Sequence, residues 1–210
     1  MEILLLWGKE IILILASYVL GCVSPGYYLV RFWTDEDIRR YGSNSAGATN
    51  VGRELGPLGF AITFFIDFAK GAIAVWTALY FGLEPWGVML VMLAVVMGHI
   101  WPLQLGFHGG KGIATSIGAV IIYNYTIAFI LFGLFIIALA LIRNFTVSGL
   151  VAFAISPLAL IALGLPMTSV IGIFTLAVLV LISHRQNIHE EIARMTHRSE
   201  IKKEKQNRLS

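Results

Sequence analysis

Residues 113–142 read IATSIGAVIIYNYTIAFILFGLFIIALALI, an uncharged apolar run closed by Arg143, and its folding sets the topology of the whole chain. It forms either one long tilted helix or two shorter ones turning at Tyr123-Asn124-Tyr125. Positive charge decides, because Lys and Arg accumulate on the cytoplasmic side of a membrane protein. Arg31, Arg39, Arg40 and Arg53 place the first polar stretch inside. With one helix, Arg143 and the basic C-terminus fall outside; with two, both fall inside. The charge bias therefore selects two helices. The other apolar spans are about Ile11–Trp33, Leu58–Phe81, Trp86–Trp101, Val147–Leu163 and Thr168–Ser183. The expected fold is an all-α integral membrane protein, a seven-helix transmembrane bundle with the N-terminus outside and the C-terminus inside. Ile113–Tyr123 is short for a hydrocarbon core that wants about 20 residues. The glycine-rich loop before it is then re-entrant, and irregular backbone at that depth must line a polar cavity.

Composition agrees. Of 210 residues, 58% are hydrophobic and only 13% charged, against about a quarter charged in soluble domains. The length suits a single membrane-embedded domain over residues 1–210, with no separate soluble domain. The first apolar run is too long for a signal peptide and reads as a retained transmembrane helix. From about residue 184 the chain turns polar, and Ile188, Ile192 and Met195 recur at helical spacing, as in an amphipathic helix at the inner surface. The tail Lys202, Lys203, Lys205 and Arg208 is either a contact with anionic lipid or a solvated end. Cys22 is the only cysteine, so no intramolecular disulfide forms. None of the five histidines has a metal-ligand spacing. No metal and no cofactor are expected, and the partners expected are membrane lipid and small molecules, with no nucleic acid and no obligate protein partner.

Two glycine-rich loops interrupt the apolar chain. The first is Gly42-Ser43-Asn44-Ser45-Ala46-Gly47-Ala48-Thr49-Asn50, followed by Arg53; the second is His108-Gly109-Gly110-Lys111-Gly112, opening a helix. Small residues let backbone N–H groups approach an anion, and cations supply countercharge. Lys111 sits at a helix N-terminus, where free N–H groups and the helix dipole favour a phosphate. The plain alternative is a flexible loop with a snorkelling lysine. The plain alternative for the first loop is a helix-capping turn, but Arg53 adds a guanidinium able to grip a phosphate bidentately.

Other candidates are weaker. Asp67 and Lys70 lie three apart inside a span, where ions are expensive and usually functional; a mutual structural strut is the equal alternative. His184 and Asn187 share a helix face at i, i+3, as a base and an orienting amide or as caps at the membrane edge. His99 ends an apolar helix and suits a structural hydrogen bond. Arg143, Thr146 and Ser148 join the polar clusters on the inner face. All of these lie on one side under the predicted topology, which argues for one site facing the cytoplasm.

In these residues the chain resembles the bacterial membrane acyl-phosphate:glycerol-3-phosphate acyltransferases. The resemblance runs from Gly21 to about Lys202. Its anchors are Gly42-Ser43, Gly47 to Asn50, Arg53, Asp67, Lys70-Gly71, His99, Pro102, Gly109 to Gly112, Ala114-Thr115, His184, Asn187-Ile188, Glu200 and Lys202. It implies a multi-pass enzyme of the cell inner membrane that transfers a fatty acyl group from acyl phosphate to glycerol 3-phosphate, giving lysophosphatidic acid and phosphate in phospholipid biosynthesis. It also implies roles. Ser43, Arg53, Lys111, His184 and Asn187 would carry catalysis. Gly42, Gly47, Thr49, Asn50, Lys70, His99, Gly109, Gly110, Gly112, Thr115, Thr146 and Ser148 would help to bind substrate. The chain departs from the pattern at Asn44, where the family usually has glycine, and Asn44 then needs a left-handed backbone. It departs again at Gly149, where the family often has serine and Ser148 or Thr146 would substitute. Near the C-terminus the family's spacing is stretched by residues 189–193, and Arg198 stands where glycine is common. A secondary transporter of a small organic phosphate is the competing reading, since charged residues within spans and a broken helix fit it. The clustering of polar loops on one side counts against it.

Overall fold

A computed structural model describes residues 2–189 of the chain. The expected amphipathic helix and basic tail beyond residue 189 lie outside the described residues, apart from a helical turn over residues 185–189. Among the described residues eight α-helices follow in order: α1 Glu2–Cys22, α2 Pro25–Thr34, α3 Ala48–Tyr80, α4 Pro85–Ile100, α5 Ile113–Tyr123, α6 Tyr125–Ile142, α7 Phe145–Ala162 and α8 Met167–Ser183. Short 3-10 turns cover Ile38–Arg40 and Leu103–Leu105. Five segments among the described residues are long and apolar enough to cross a membrane, and α5 and α8 are shorter apolar helices. The chain is an all-helical membrane protein.

The run at 113–142 is two helices, and Asn124 divides them. Its backbone is extended (φ −163°, ψ 110°), which ends α5. Its Oδ1 accepts from Thr126 N and Ile127 N at 2.9 and 3.2 Å, capping α6. Asn144 caps α7 in the same way.

The expected first span Ile11–Trp33 falls within Gly8–Thr34, a stretch long and apolar enough to cross a membrane, but its helix is interrupted. It breaks at Val23-Ser24, because the ring of Pro25 pushes the preceding residue out of the helical region, and Ser24 sits at φ −113°, ψ 79°. The break frees carbonyls at the end of α1, and cross-chain donors satisfy them. Lys70 Nζ donates to Gly21 O (2.9 Å) and Val23 O (2.6 Å), and Gln104 Nε2 donates to Cys22 O. A cation at a helix C-terminus also matches the dipole. The second span begins earlier than expected. α3 starts at Ala48 and kinks at Gly56 (φ 73°), just before Pro57, so Asn50 and Arg53 stand on a helical segment.

α4 is the central helix, burying Val88, Val91, Met92, Val95 and Val96 against α1, α3, α5 and α8. Two glycine pairs bring backbones into contact. A Cβ on Gly21 would lie 2.2 Å from Val95 O, and one on Gly98 would lie 2.1 Å from Tyr18 O, fixing α1 on α4. The same reciprocity holds for α3 on α5, where the distances are 2.1 Å from Gly71 to Thr115 O and 2.0 Å from Gly118 to Phe68 O. Between membrane helices, small residues at the contact supply the close packing that lipid cannot oppose. α6 is the contrasting case, with only Ile127 and Ala138 of its residues buried.

These contacts bring the loops to one end of the bundle. The end of α5 meets the start of α8 through Tyr123 Oη and Ser169 Oγ at 3.0 Å. The start of α5 meets the end of α8, where Ser183 Oγ donates to Lys111 O at 2.9 Å. The two helices are antiparallel, so the second loop lies beside the end of α8.

Candidate active site

The first loop is built around Asn50. This side chain is buried, and its Nδ2 donates to Ile38 O, Tyr41 O and Ser45 O at 2.9–3.2 Å. Its Oδ1 accepts from Ser43 N at 3.0 Å. Expected to bind substrate, Asn50 is instead fully engaged as the clamp of the loop. Gly42 (φ 55°) must be glycine, because a Cβ there would sit 2.2 Å from Asn50 Oδ1. Asn44 adopts the left-handed backbone its position requires, at φ 51°. Ser43 and Ser45 face each other with Oγ atoms 3.0 Å apart.

The second loop crosses behind the first. Gly110 N and Gly109 N donate to His99 O and Ile100 O at the end of α4 (3.0 and 3.1 Å), and Ala46 N donates to Gly109 O (3.0 Å). Both glycines are sterically required. A Cβ on Gly109 would lie 2.2 Å from His99 O, and one on Gly110 would lie 2.1 Å from His99 Nε2. Gly112 takes φ 85° and turns the chain into α5.

Behind Gly110 stands a buried polar chain. His99 Nδ1 lies 3.1 Å from Asp67 Oδ1, the same oxygen is 2.8 Å from Lys70 Nζ, and Lys70 reaches the broken end of α1. All three side chains are at most 5% exposed. Lys70 and His99 therefore stand behind the loops, in the strut that was the alternative reading of Asp67 and Lys70, and His99 belongs to it as well.

The loops and the end of α8 enclose an open cleft of about 230 Å³. Ser43, Asn44 and Ser45 line it from the first loop; His108, Gly109, Gly110 and Lys111 from the second; Ser183, Arg185 and Gln186 from the end of α8. Ile100, Trp101, Phe107 and Ile182 form an apolar wall. Among the described residues two cations and no carboxylate line the cleft. Lys111 Nζ donates to Asn187 Oδ1, so the second loop and the turn after α8 meet through two of the expected residues.

His184 caps α8 beside this contact. Its Nδ1 lies 2.8 Å from Val180 O. A carbonyl only accepts, so Nδ1 carries the proton and Nε2 is the acceptor of the neutral ring. Burial, and secondarily the charge of Lys111, push its pKa down to about 4, against the raising effect of the Val180 carbonyl. The imidazole is neutral at pH 7.

Other expected residues lie outside the cleft. Arg53 and Thr49 are exposed on the first turns of α3, and Arg53 Nη1 borders Gly42 at 3.5 Å from where its Cβ would be. Gly47 caps α3 and a Cβ on it would come within 3.9 Å of Lys111 N. Thr115 is fully buried against Gly71. Ser148 is fully buried in α7 and Thr146 is half-buried near its start. Ser183, Arg185 and Gln186 are cleft residues that sequence reasoning missed as site residues; their one signal was position, next to His184 where an apolar span turns polar. Among the described residues no group of three His, Cys, Asp or Glu is placed to hold a metal.

A family model described as glycerol-3-phosphate acyltransferase matches residues 11–194. A glycerol-3-phosphate acyltransferase 1 of Desulfitobacterium hafniense is 41% identical over 189 residues, covering 90% of this chain and 94% of its own. One from Bacillus cereus is 37% identical, covering 85% and 98%. The crystal structure of PlsY (YgiH), an integral membrane glycerol 3-phosphate acyltransferase in its glycerol 3-phosphate form, superposes with a TM-score of 0.80 at 31% identity, covering 88% of this chain and 92% of that one. Its lysophosphatidic acid form gives 0.77 at 30% identity. The chain belongs to the glycerol-3-phosphate acyltransferase family.

Proposed function

We propose that this protein transfers a fatty acyl group from acyl phosphate to the primary hydroxyl of glycerol 3-phosphate, releasing lysophosphatidic acid and inorganic phosphate. The observation that carries the reading is the cleft: among the described residues, two cations, two glycine-rich loops and no carboxylate on one wall, apolar side chains on the other. An acyl phosphate has the same two-part character.

Both substrates are anionic at the reacting end. Lys111 and Arg185, the two cations of the cleft, neutralise their phosphates, and the Ser43 hydroxyl and the start of α5 offer hydrogen-bond donors. The acyl tail follows the apolar wall of Ile100, Trp101, Phe107 and Ile182 toward lipid. A mixed anhydride is already activated, so no covalent enzyme nucleophile is needed. The hydroxyl oxygen of glycerol 3-phosphate forms a bond to the acyl carbonyl carbon, the carbonyl carbon–oxygen bond to phosphate breaks, and phosphate departs. Positioning the two reactants can contribute about 7–11 kcal/mol, and each donor on the developing oxyanion about 2.7–4 kcal/mol. A general base works best with a pKa near the working pH. A His184 held near 4 is a weak base, which favours a substrate phosphate oxygen as proton acceptor, with His184 Nε2 and Asn187 orienting the hydroxyl.

The topology completes the reading. The chain is read as crossing the membrane seven times, and the bias of Lys and Arg supports an N-terminus outside and loops at the cytoplasmic face of the inner membrane. The second loop is re-entrant, and residues 1–210 form a single domain. Purified protein given acyl phosphate with glycerol 3-phosphate, or with plain glycerol, tests the function. Phosphate release that requires glycerol 3-phosphate is expected. Release at equal rates with either acceptor, or none with both, would refute it, and the second result is what a transporter would give.

A further inference from the structure

Arg39 lies outside the cleft and makes three kinds of contact with three separate segments. Its Nε and Nη2 donate to the Asp37 carboxylate at 2.7–3.2 Å. Its Nη1 donates to Leu105 O at 2.7 Å, across to the 3-10 turn that precedes the second loop. Its guanidinium carbon stands 5.0 Å from the centroid of the Tyr27 ring on α2. Asp37 is itself tied down, since its Oδ1 accepts from Arg39 N and starts the turn Ile38–Arg40. The side chains of Arg39 and Asp37 are 24% and 19% exposed, so this pair is largely shielded from water. The Asp37 carboxyl is held below the usual carboxylate range, chiefly by the hydrogen bond from Arg39.

The position of this contact gives it a use. Ile38 and Tyr41 are two of the three residues whose carbonyls Asn50 holds, and Ser43 lies two residues beyond Tyr41. Leu105 leads into Phe107 and Lys111. The two loops are also joined by Ala46 N and Gly109 O. The cleft between them is therefore pinned at two points, Ala46–Gly109 on the inside and Arg39–Leu105 on the outside.

We propose that Arg39 is a positioning residue for the transfer reaction: with Asp37 and Tyr27 it fixes the spacing between the two phosphate-handling loops without touching substrate. The inference rests on the acyl-transfer reading above. Only arginine fits the task, because a planar fork can serve a carboxylate, a carbonyl and a ring face at once. Lysine keeps the charge but cannot make all three contacts.

The test compares wild type with Arg39→Lys and Arg39→Gln in two measurements. In steady-state kinetics both variants should raise KM for acyl phosphate or glycerol 3-phosphate by about tenfold or more, the pattern of lost uniform binding, because a loosened gap between the loops weakens the hold on both substrates. Their kcat should stay within about threefold of wild type and their melting temperature within a few degrees. In hydrogen exchange, residues 42–47 and 105–111 should exchange faster in the variants while the helices do not. Wild-type KM in both variants, rescue by lysine, or a parallel fall of kcat and melting temperature would each overturn the proposal. If wild type shows no turnover, the functional reading fails by itself, and the exchange measurement alone decides whether Arg39 braces the loops: unchanged exchange overturns it.

Discussion

Gly110→Ala is a one-methyl change whose outcome follows from the geometry. The new methyl would lie 2.1 Å from His99 Nε2, 2.5 Å from Cε1 and 3.1 Å from Cδ2. Ordinary carbon contact begins near 3.4 Å, so ring and loop must separate by about 1.3 Å. The ring cannot yield freely. It is buried, its Nδ1 is bound to Asp67, and Asp67 is bound to Lys70, which holds the end of α1. Breaking the His99–Asp67 contact costs about 1.5–3 kcal/mol, the range for a hydrogen bond to a charged group. If the loop yields instead, Lys111 moves by about an ångström, and a misplacement of that size costs about 10²-fold in rate. Either route predicts that kcat/KM for lysophosphatidic acid formation falls about 10- to 100-fold. The control is Gly133→Ala on α6, where nothing lies within 4 Å of the added Cβ and wild-type activity is expected. The cause is checked by a double-mutant cycle. In a His99→Ala background, Gly110→Ala should cost much less than it does alone. Wild-type kinetics for Gly110→Ala, or equal costs in both backgrounds, would refute the reasoning.

Three further outcomes are expected. Asn50→Ala leaves three carbonyls and one amide of the first loop without their side-chain partner, so about 1–3 kcal/mol of stability should be lost; denaturation in detergent reads this, and an unchanged midpoint would contradict it. Gly118→Ala would place a Cβ 2.0 Å from Phe68 O, forcing the backbones of α3 and α5 apart, and should destabilise by about 1–3 kcal/mol as an overpacked contact, visible as a lower melting temperature. His184 has a pKa depressed from 6.5 to about 4; its contribution is fully present above pH 6.5 and is lost as the pH falls through 4, about 3 kcal/mol in all, so the pH dependence of melting over that range should be shallower in His184→Gln than in wild type.

How much of this was legible in the sequence depended on the range of the cause. The division at Asn124 could be inferred because charge bias is a global property of the loops, and Asn124 then served both helices locally. The left-handed Asn44 was foreseen because the resemblance puts a glycine at that position in the family. The break before Pro25 was missed because the apolar run continues through it, while the groups that make it tolerable, Lys70 and Gln104, are far away in sequence. Among the expected site residues, Ser43, Gly109, Gly110 and Lys111 line the cleft, and Asn187 reaches Lys111. Asn50, Lys70 and His99 have the polarity of ligand groups, but their partners are carbonyls and a carboxylate of other segments. No spacing rule reveals such partners. Arg39 was readable as a topology marker and not as a brace, since its acceptor Leu105 O carries no sequence signature.

The account depends on three distant segments meeting at one membrane face to hold two phosphates. Cys22 is buried, so single cysteines placed at Ser43, Lys111 and Asn187 can be labelled with a membrane-impermeant maleimide in sealed vesicles of known orientation. All three should react from the cytoplasmic side only, and glycerol 3-phosphate should slow the labelling at Ser43 and Asn187. Reaction of any one of them from the opposite side, or rates indifferent to glycerol 3-phosphate at both protected positions, would contradict the account.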